Sequence, residues 1–290
     1  MQAHPALFGV GGNYMGNIEL ENLRNEIIED LVKIIGEVIP LEGYAIKGGY
    51  LLKKILNECE KTANIKSTLD LDIDISCEEY QDMLFDALTE YLNKIQMEGK
   101  IYSYTLTKPG TSKSGKPTAG RVRMYRKFDA NCRKWLFCSL DFDVHPLFYG
   151  IVTYDGKPGY SIERIIADKF MAMYMSVERS VLHRSKDIVD LYLINQYIAE
   201  RDYLLDYSII VAVIRERLVR VYKTSVLPSM SAMEELILNV PQELYSAVRD
   251  CLKSDRVNEE LLDYSSVEEM VRKVLNMVNY IKGVYNNVIH

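Results

Sequence analysis

Several features are missing from this chain, and each absence excludes a class of protein. The five cysteines, Cys59, Cys77, Cys132, Cys138 and Cys251, are odd in number and no two form a CxxC pair. That spacing supports neither a disulfide framework nor a zinc site, and it fits reduced thiols. The histidines, His4, His145, His183 and His290, are too scattered to make a local metal cluster. No apolar run approaches the roughly 20 residues that a bilayer crossing needs; Ile209–Ile214 is one of the longest. No basic segment followed by an apolar one opens the sequence, so the expectation is a cytoplasmic protein with no membrane contact. Positive charge is not in excess either. The formal net charge is −6, so any contact with nucleic acid must come from a local patch. No internal repeat and no low-complexity segment is visible. What remains, 48% hydrophobic and 26% charged residues in 290, predicts a packed core in one large or two modest domains.

The periodicities divide the chain into an α/β part, residues 1–158, and an all-helical part, residues 159–290. The lead-in through Gly16 is glycine-rich and weakly patterned. Ile18–Ile39 has helical spacing and ends before Pro40. A short strand over Gly43–Ile46 runs into Gly48-Gly49, and Tyr50–Lys61 reads as a helix with Leu51, Leu52, Ile55 and Leu56 on one face. Leu69–Ser76 reads as a strand, Glu78–Met97 as a helix, and Ile101–Thr107, Arg121–Phe128 and Trp135–Val144 as strands. Lys108–Ala119 has the composition of a flexible loop. Helices are expected over Ile162–Glu178, Lys186–Glu200, Tyr207–Lys223, Met230–Asn239, Gln242–Leu252 and Val267–Val284. The architecture is therefore α/β (α+β): a mixed sheet flanked by helices, then a helical domain.

The chemistry concentrates in Thr68-Leu69-Asp70-Leu71-Asp72-Ile73-Asp74. Side chains two apart on a strand share a face, so these carboxylates crowd together and repel. A hard divalent cation removes that repulsion. The plainer reading is an edge strand carrying acids for solubility. Upstream, the glycines of Lys47-Gly48-Gly49-Tyr50 bring bare backbone N–H groups within reach of a phosphate. Asp141 and Asp143 alternate in the same way on a later strand. Either supplies a third carboxylate, with a slight preference for Asp141. The segment Lys100–Lys134 is the local basic patch, with Tyr102, Tyr104 and Tyr125 interleaved. It fits phosphate binding with base stacking, with Arg121 and Arg123 on one strand face, and equally a solvated hairpin. Lys169 and the acids Asp187 and Asp190 fall on consecutive helices, where an interhelical pairing fits.

Four of these segments, in this order, resemble the AbiEii-type nucleotidyltransferase toxins of the polymerase-beta-like superfamily. They are Gly48-Gly49-x-x-Leu52-x-Lys54; Lys66-x-Thr68-x-Asp70-Leu71-Asp72; Glu163 through Ala167 to Lys169; and Arg184-x-Lys186-Asp187-x-x-Asp190-Leu191. The resemblance covers roughly Tyr44 to Leu193. It implies a nucleotidyltransferase-like fold and transfer of an NMP from an NTP, with Mg²⁺ or Mn²⁺ on Asp70 and Asp72. By the same resemblance Gly48, Gly49, Lys54, Lys169 and Asp187 would meet the nucleotide, and Lys169 and Asp190 would be catalytic. The acceptor would be RNA, the 3′ end of tRNA for instance, or a protein hydroxyl, and a cognate antitoxin would be the partner. The chain departs from the family pattern at Tyr50, where the family has a small hydroxyl residue, and at Lys66 and Ser67, where it has Arg and an aromatic. Two rival readings are a small-molecule, antibiotic-type nucleotidyltransferase and a non-catalytic protein that binds nucleotide or a partner.

Overall fold

The computed structural model describes residues 14–57, 70–111, 117–127, 134–175, 184–227, 240–254 and 264–289. The helix expected over Met230–Asn239, the Lys66–Thr68 opening of the second motif, and His183 lie outside the described residues.

Helix α1 (Tyr14–Val38) begins about one turn before the expected start and ends just before Pro40. Strand β1 (Tyr44–Lys47) follows and leads directly into α2 (Gly48–Leu56). Strand β2 (Asp70–Ile75) precedes α3 (Glu78–Met97) and β3 (Ser103–Thr107). The segment expected to be a plain loop forms a two-stranded ribbon, β4 (Gly110–Thr111) with β5 (Pro117–Thr118). Next come β6 (Gly120–Lys127), β7 (Lys134–Val144), β8 (Ile151–Tyr154) and β9 (Lys157–Tyr160). The helices α4 (Ile162–Tyr174), α5 (Ser185–Glu200), α6 (Tyr207–Arg217), α7 (Gln242–Ser254) and α8 (Tyr264–Ile289) complete the described chain.

Seven strands make one mixed sheet in the order β3-β6-β7-β2-β1-β9-β8. Strand β2 lies between β1, antiparallel, and β7, parallel. The β8–β9 hairpin turns on Asp155 and Gly156, both at positive φ, the conformation a two-residue type I′ turn demands. Its second strand pairs in parallel with β1. The expected division after residue 158 falls within β9.

Packing follows the alternation. Leu71, Ile73 and Ile75 of β2 and Leu140 and Phe142 of β7 are buried in the core. Helices α1 and α3 cover this side: Arg24 of α1 donates to the Phe137 carbonyl at 2.9 Å, and the Tyr104 hydroxyl donates to Asn93 of α3 at 2.7 Å. The expected stripe of α2, Leu51, Leu52, Ile55 and Leu56, is buried throughout. The later helices pack on one another, and α5 also packs on α2.

Candidate active site

Register brings the acids together. Along the parallel β2–β7 pair, Asp70 lies opposite Ser139, Asp72 opposite Asp141, and Asp74 opposite Asp143. On the other side Lys47 of β1 lies opposite Asp72. Directly opposed residues share a face, so Lys47, the three β2 aspartates, Ser139, Asp141 and Asp143 line one side of the sheet.

The glycine turn closes on this face. Gly48 has φ +72°, and a Cβ placed there would overlap Asp72 Oδ2 and stand 3.0 Å from its Cγ. Only glycine lets the backbone turn into α2 while resting against that carboxylate. Gly48 and Gly49 are the first two residues of α2, where helix N–H groups lack intrahelical acceptors and favour an anion.

The aspartates divide into an anchored group and an available pair. Asp74 is 2% exposed. It accepts from Lys47 Nζ at 2.5 Å, from His145 Nε2 at 2.9 Å, and from the Tyr160 hydroxyl. Burial alone would raise its pKa, but the His145 and Lys47 contacts outweigh that and bring it down to about 2. Lys47 also reaches Asp143 at 3.0 Å, so Asp143 belongs with the anchored group. Asp72 is the reverse case. Burial, together with the charges of Asp70 and Asp141, outweighs the opposing effect of Lys47 and raises its pKa to about 6. Such a carboxyl gains most from a cation beside it. Asp70 is exposed and accepts from the Ser139 hydroxyl. Asp141 accepts from Nε and Nη2 along one edge of the Arg121 guanidinium, with N···O distances of 2.9 to 3.1 Å.

Among the described residues, no three His, Cys, Asp or Glu side chains already converge as a metal cluster. The chemistry of the pair nevertheless fits Mg²⁺, which is commonly held by one or two carboxylates and completed by water and substrate phosphates. Mn²⁺ takes the same oxygen donors.

The helical half supplies a clamp. Lys169 of α4 meets Asp187 at 3.0 Å and Asp190 at 2.5 Å, both on α5, with its side chain 16% exposed. Burial would lower its pKa, but the two carboxylates raise it, so the ammonium stays charged. Asp187 also has Arg184 at 3.6 Å. Glu163, of the same motif, is buried and accepts from the Tyr203 hydroxyl at 3.0 Å and the Asp206 N–H at 3.3 Å.

One expected residue, Lys54, sits elsewhere, beside Tyr50. Lys54 pairs with Glu29 of α1 at 2.9 Å, and Tyr50 donates to the same carboxylate at 2.9 Å. Both line a recess of about 230 Å³ between α1 and α2. Arg121 and Arg123 lie on the aspartate side of the sheet, opposite Asp141 and Ser139. Sequence reasoning passed over Lys47, His145, Tyr160 and Lys186. Lys186, exposed in the first turn of α5, acts electrostatically on Asp72. Its place between Arg184 and Asp187 in the closing motif is the signal the sequence offers.

The family model for the AbiEii nucleotidyltransferase toxins of type IV toxin–antitoxin systems matches residues 41–264. No curated protein sequence matches the chain. Solved structures that resemble it are distant. JHP933 from Helicobacter pylori has 13% identity, with 93% of this chain and 97% of that one covered and a TM-score of 0.46. MenT4, a nucleotidyltransferase toxin from Mycobacterium tuberculosis H37Rv, has 13% identity, coverage of 90% and 84%, and a TM-score of 0.49. The Megavirus polyadenylate synthase has 12% identity, coverage of 88% and 52%, and a TM-score of 0.38. The family model spans most of the chain and takes in the glycine turn, the paired aspartates and the Lys169 clamp, and by that match the chain belongs to the AbiEii nucleotidyltransferase toxin family and is a nucleotidyltransferase.

Proposed function

We propose that this nucleotidyltransferase moves an NMP from an NTP to a hydroxyl of RNA, such as the 3′ end of tRNA, in the cytoplasm, with Mg²⁺ or Mn²⁺. In this reading it is the toxin of a type IV-like toxin–antitoxin or phage-defence pair, and a cognate antitoxin is its partner. The observation that carries the reading is the contact between the Gly48 turn and Asp72, with Asp70 and Asp141 beside it. Phosphate-binding backbone and metal-binding carboxylates are then one structure.

Asp70 and Asp72 would hold the cation, and Asp141 would join them when Arg121 releases it. The ion's contribution is to lower the pKa of the attacking hydroxyl and to offset charge on the triphosphate. The first N–H groups of α2 meet the phosphates. Lys186, exposed, offers its ammonium to the leaving pyrophosphate. Lys169 holds Asp187 and Asp190 and so sets where the first turn of α5 stands. The hydroxyl oxygen bonds to the α-phosphorus, the bond from that phosphorus to the β-bridging oxygen breaks, and pyrophosphate leaves. The hydroxyl proton passes to water or a neighbouring carboxylate.

The test is incubation with each α-radiolabelled NTP, Mg²⁺ and total bacterial RNA. Label in tRNA supports the reading and identifies the nucleotide. Label only in protein moves the acceptor to a protein hydroxyl, and label only in a small molecule contradicts the RNA reading.

A further inference from the structure

We infer that the open face of β6 is a track for the single-stranded end of the acceptor RNA, with Tyr125 as a stacking platform and Arg123, Lys127 and Lys134 as phosphate contacts. The inference rests on the RNA-acceptor reading above.

Alternate residues of a strand share a face. Arg121, Arg123, Tyr125 and Lys127 are four such positions on β6, opposite Asp141, Ser139, Leu136 and Lys134 of β7. On the far side Thr107, Thr105 and Ser103 of β3 lie opposite Arg121, Arg123 and Tyr125. The register slip between Met124 and Tyr125 leaves the extra residue, Phe137, on β7, so the alternation of β6 is kept. The row starts at Arg121, on the Asp141 that neighbours Asp72. It runs six residues along the strand, about 20 Å. It is therefore continuous with the site where an RNA 3′ hydroxyl must react.

Beyond Arg121, which is paired with Asp141, the side chains on this row have charge to spare. Lys100 is paired with Glu26 at 2.7 Å, and Lys108 with Asp82 at 2.7 Å. Arg126 turns to the Lys100 carbonyl at 2.9 Å and the Phe137 ring. Among the described residues no carboxylate pairs with Arg123, Lys127 or Lys134, and all three are exposed. Two of them stand beside aromatic rings. Lys134 Nζ is 4.6 Å from the Tyr125 centroid, and Lys127 Nζ is 4.2 Å from that of Tyr102, a residue 44% exposed. An ammonium next to a ring, repeated along an open sheet, is a combination that holds a phosphate and stacks the base attached to it. An acidic protein would meet the lysines but has no use for the stacking face.

The test is fluorescence anisotropy of a labelled single-stranded RNA of about ten nucleotides, within the usual footprint of such surfaces, titrated with the full chain over a range of salt. Tyr125→Leu should weaken binding about tenfold, a modest value for one stacked base, and Tyr125→Phe should keep it. Lys127→Gln/Lys134→Gln should weaken binding and flatten the slope of log K against log salt by about 0.7 for each lysine that meets a phosphate. Lys33→Gln/Lys253→Gln makes the same charge change on α1 and α7 and should alter neither. Thermal melts confirm that each variant is folded. Equal affinity for all proteins overturns the track. So does equal weakening by the control pair, since net charge alone would then suffice. No RNA binding by wild type, with Lys127 and Lys134 protected only by an acidic protein, also overturns it. The two readings fail separately: RNA bound but never labelled ends the acceptor reading alone, whereas RNA labelled at the wild-type rate by the Tyr125→Leu and Lys127→Gln/Lys134→Gln variants ends the track alone.

Discussion

Gly48 joins two functions that would otherwise be separate. Its left-handed φ and its contact with Asp72 make the turn and the carboxylate pair one unit. Gly48→Ala should cost about 1–3 kcal/mol of stability, the usual range for a strained backbone position. It should also slow transfer by about 100-fold, the scale of loss when reacting groups shift by an ångström. A thermal melt and an initial rate check both. Cys138 is a contrasting case. Burial, only partly offset by Arg24, pushes its thiol up to about 12, so at pH 8 only about one molecule in 10,000 carries the thiolate. Iodoacetamide should label the partly exposed Cys77 in the native protein and leave Cys138 unmodified up to about pH 9. Early labelling of Cys138 would contradict its placement in the core. At this scale the aspartates were legible because strand alternation is a local property. The Lys47–Asp74–His145 anchor was not, because it joins residues from three separate segments. Nor was the pairing of Lys54 with Glu29, because helical spacing does not say which neighbour a lysine meets.

Helices α4 and α5 are locked by a buried ion pair, and the lock can be separated from the chemistry. Lys169→Met would leave buried Asp190 without its cation, and Asp187 with only Arg184 at 3.6 Å, a loss of about 3–5 kcal/mol for a buried pair broken on one side. Lys186→Ala, at an exposed position of the same helix, should stay within about 0.5 kcal/mol of wild type. It should nevertheless raise the KM for NTP, with Lys186→Arg recovering much of the effect. Chemical denaturation beside NTP kinetics separates the two roles. A large stability loss on Lys186→Ala would make it a structural residue instead. Most elements could be read from periodicity: α3 matches its expected bounds, and β2, β6 and β7 match to within a residue or two. The β8–β9 hairpin was missed although Asp155-Gly156 is a hairpin signal. Its strands are only four residues each, too short for alternation to stand out.

At the scale of the molecule, an α/β sheet and a helical half meet around one set of motifs. The sheet order, with β2 between β1 and β7, puts the strand carboxylates side by side, and the packing of α5 on α2 ties the Lys169 clamp to the glycine turn. The sequence shows which residues alternate but not which strands are neighbours, so it could not say that Asp141 lies opposite Asp72 and Asp143 opposite Asp74. The α/β class was legible because helical and strand periodicities divide cleanly near β9. Membrane insertion through a helix is excluded for the described residues, since no helix is long and apolar enough. The most direct measurement is NMP transfer by wild type and by Asp70→Asn/Asp72→Asn, each with Mg²⁺ and with EDTA. The expected result is transfer by wild type only with the metal, a loss of about 100-fold or more in the double variant, and a melt no lower than that of wild type, because two repelling carboxylates have been neutralised. Transfer at the wild-type rate by the double variant, or undiminished in EDTA, would contradict metal-dependent chemistry at these aspartates.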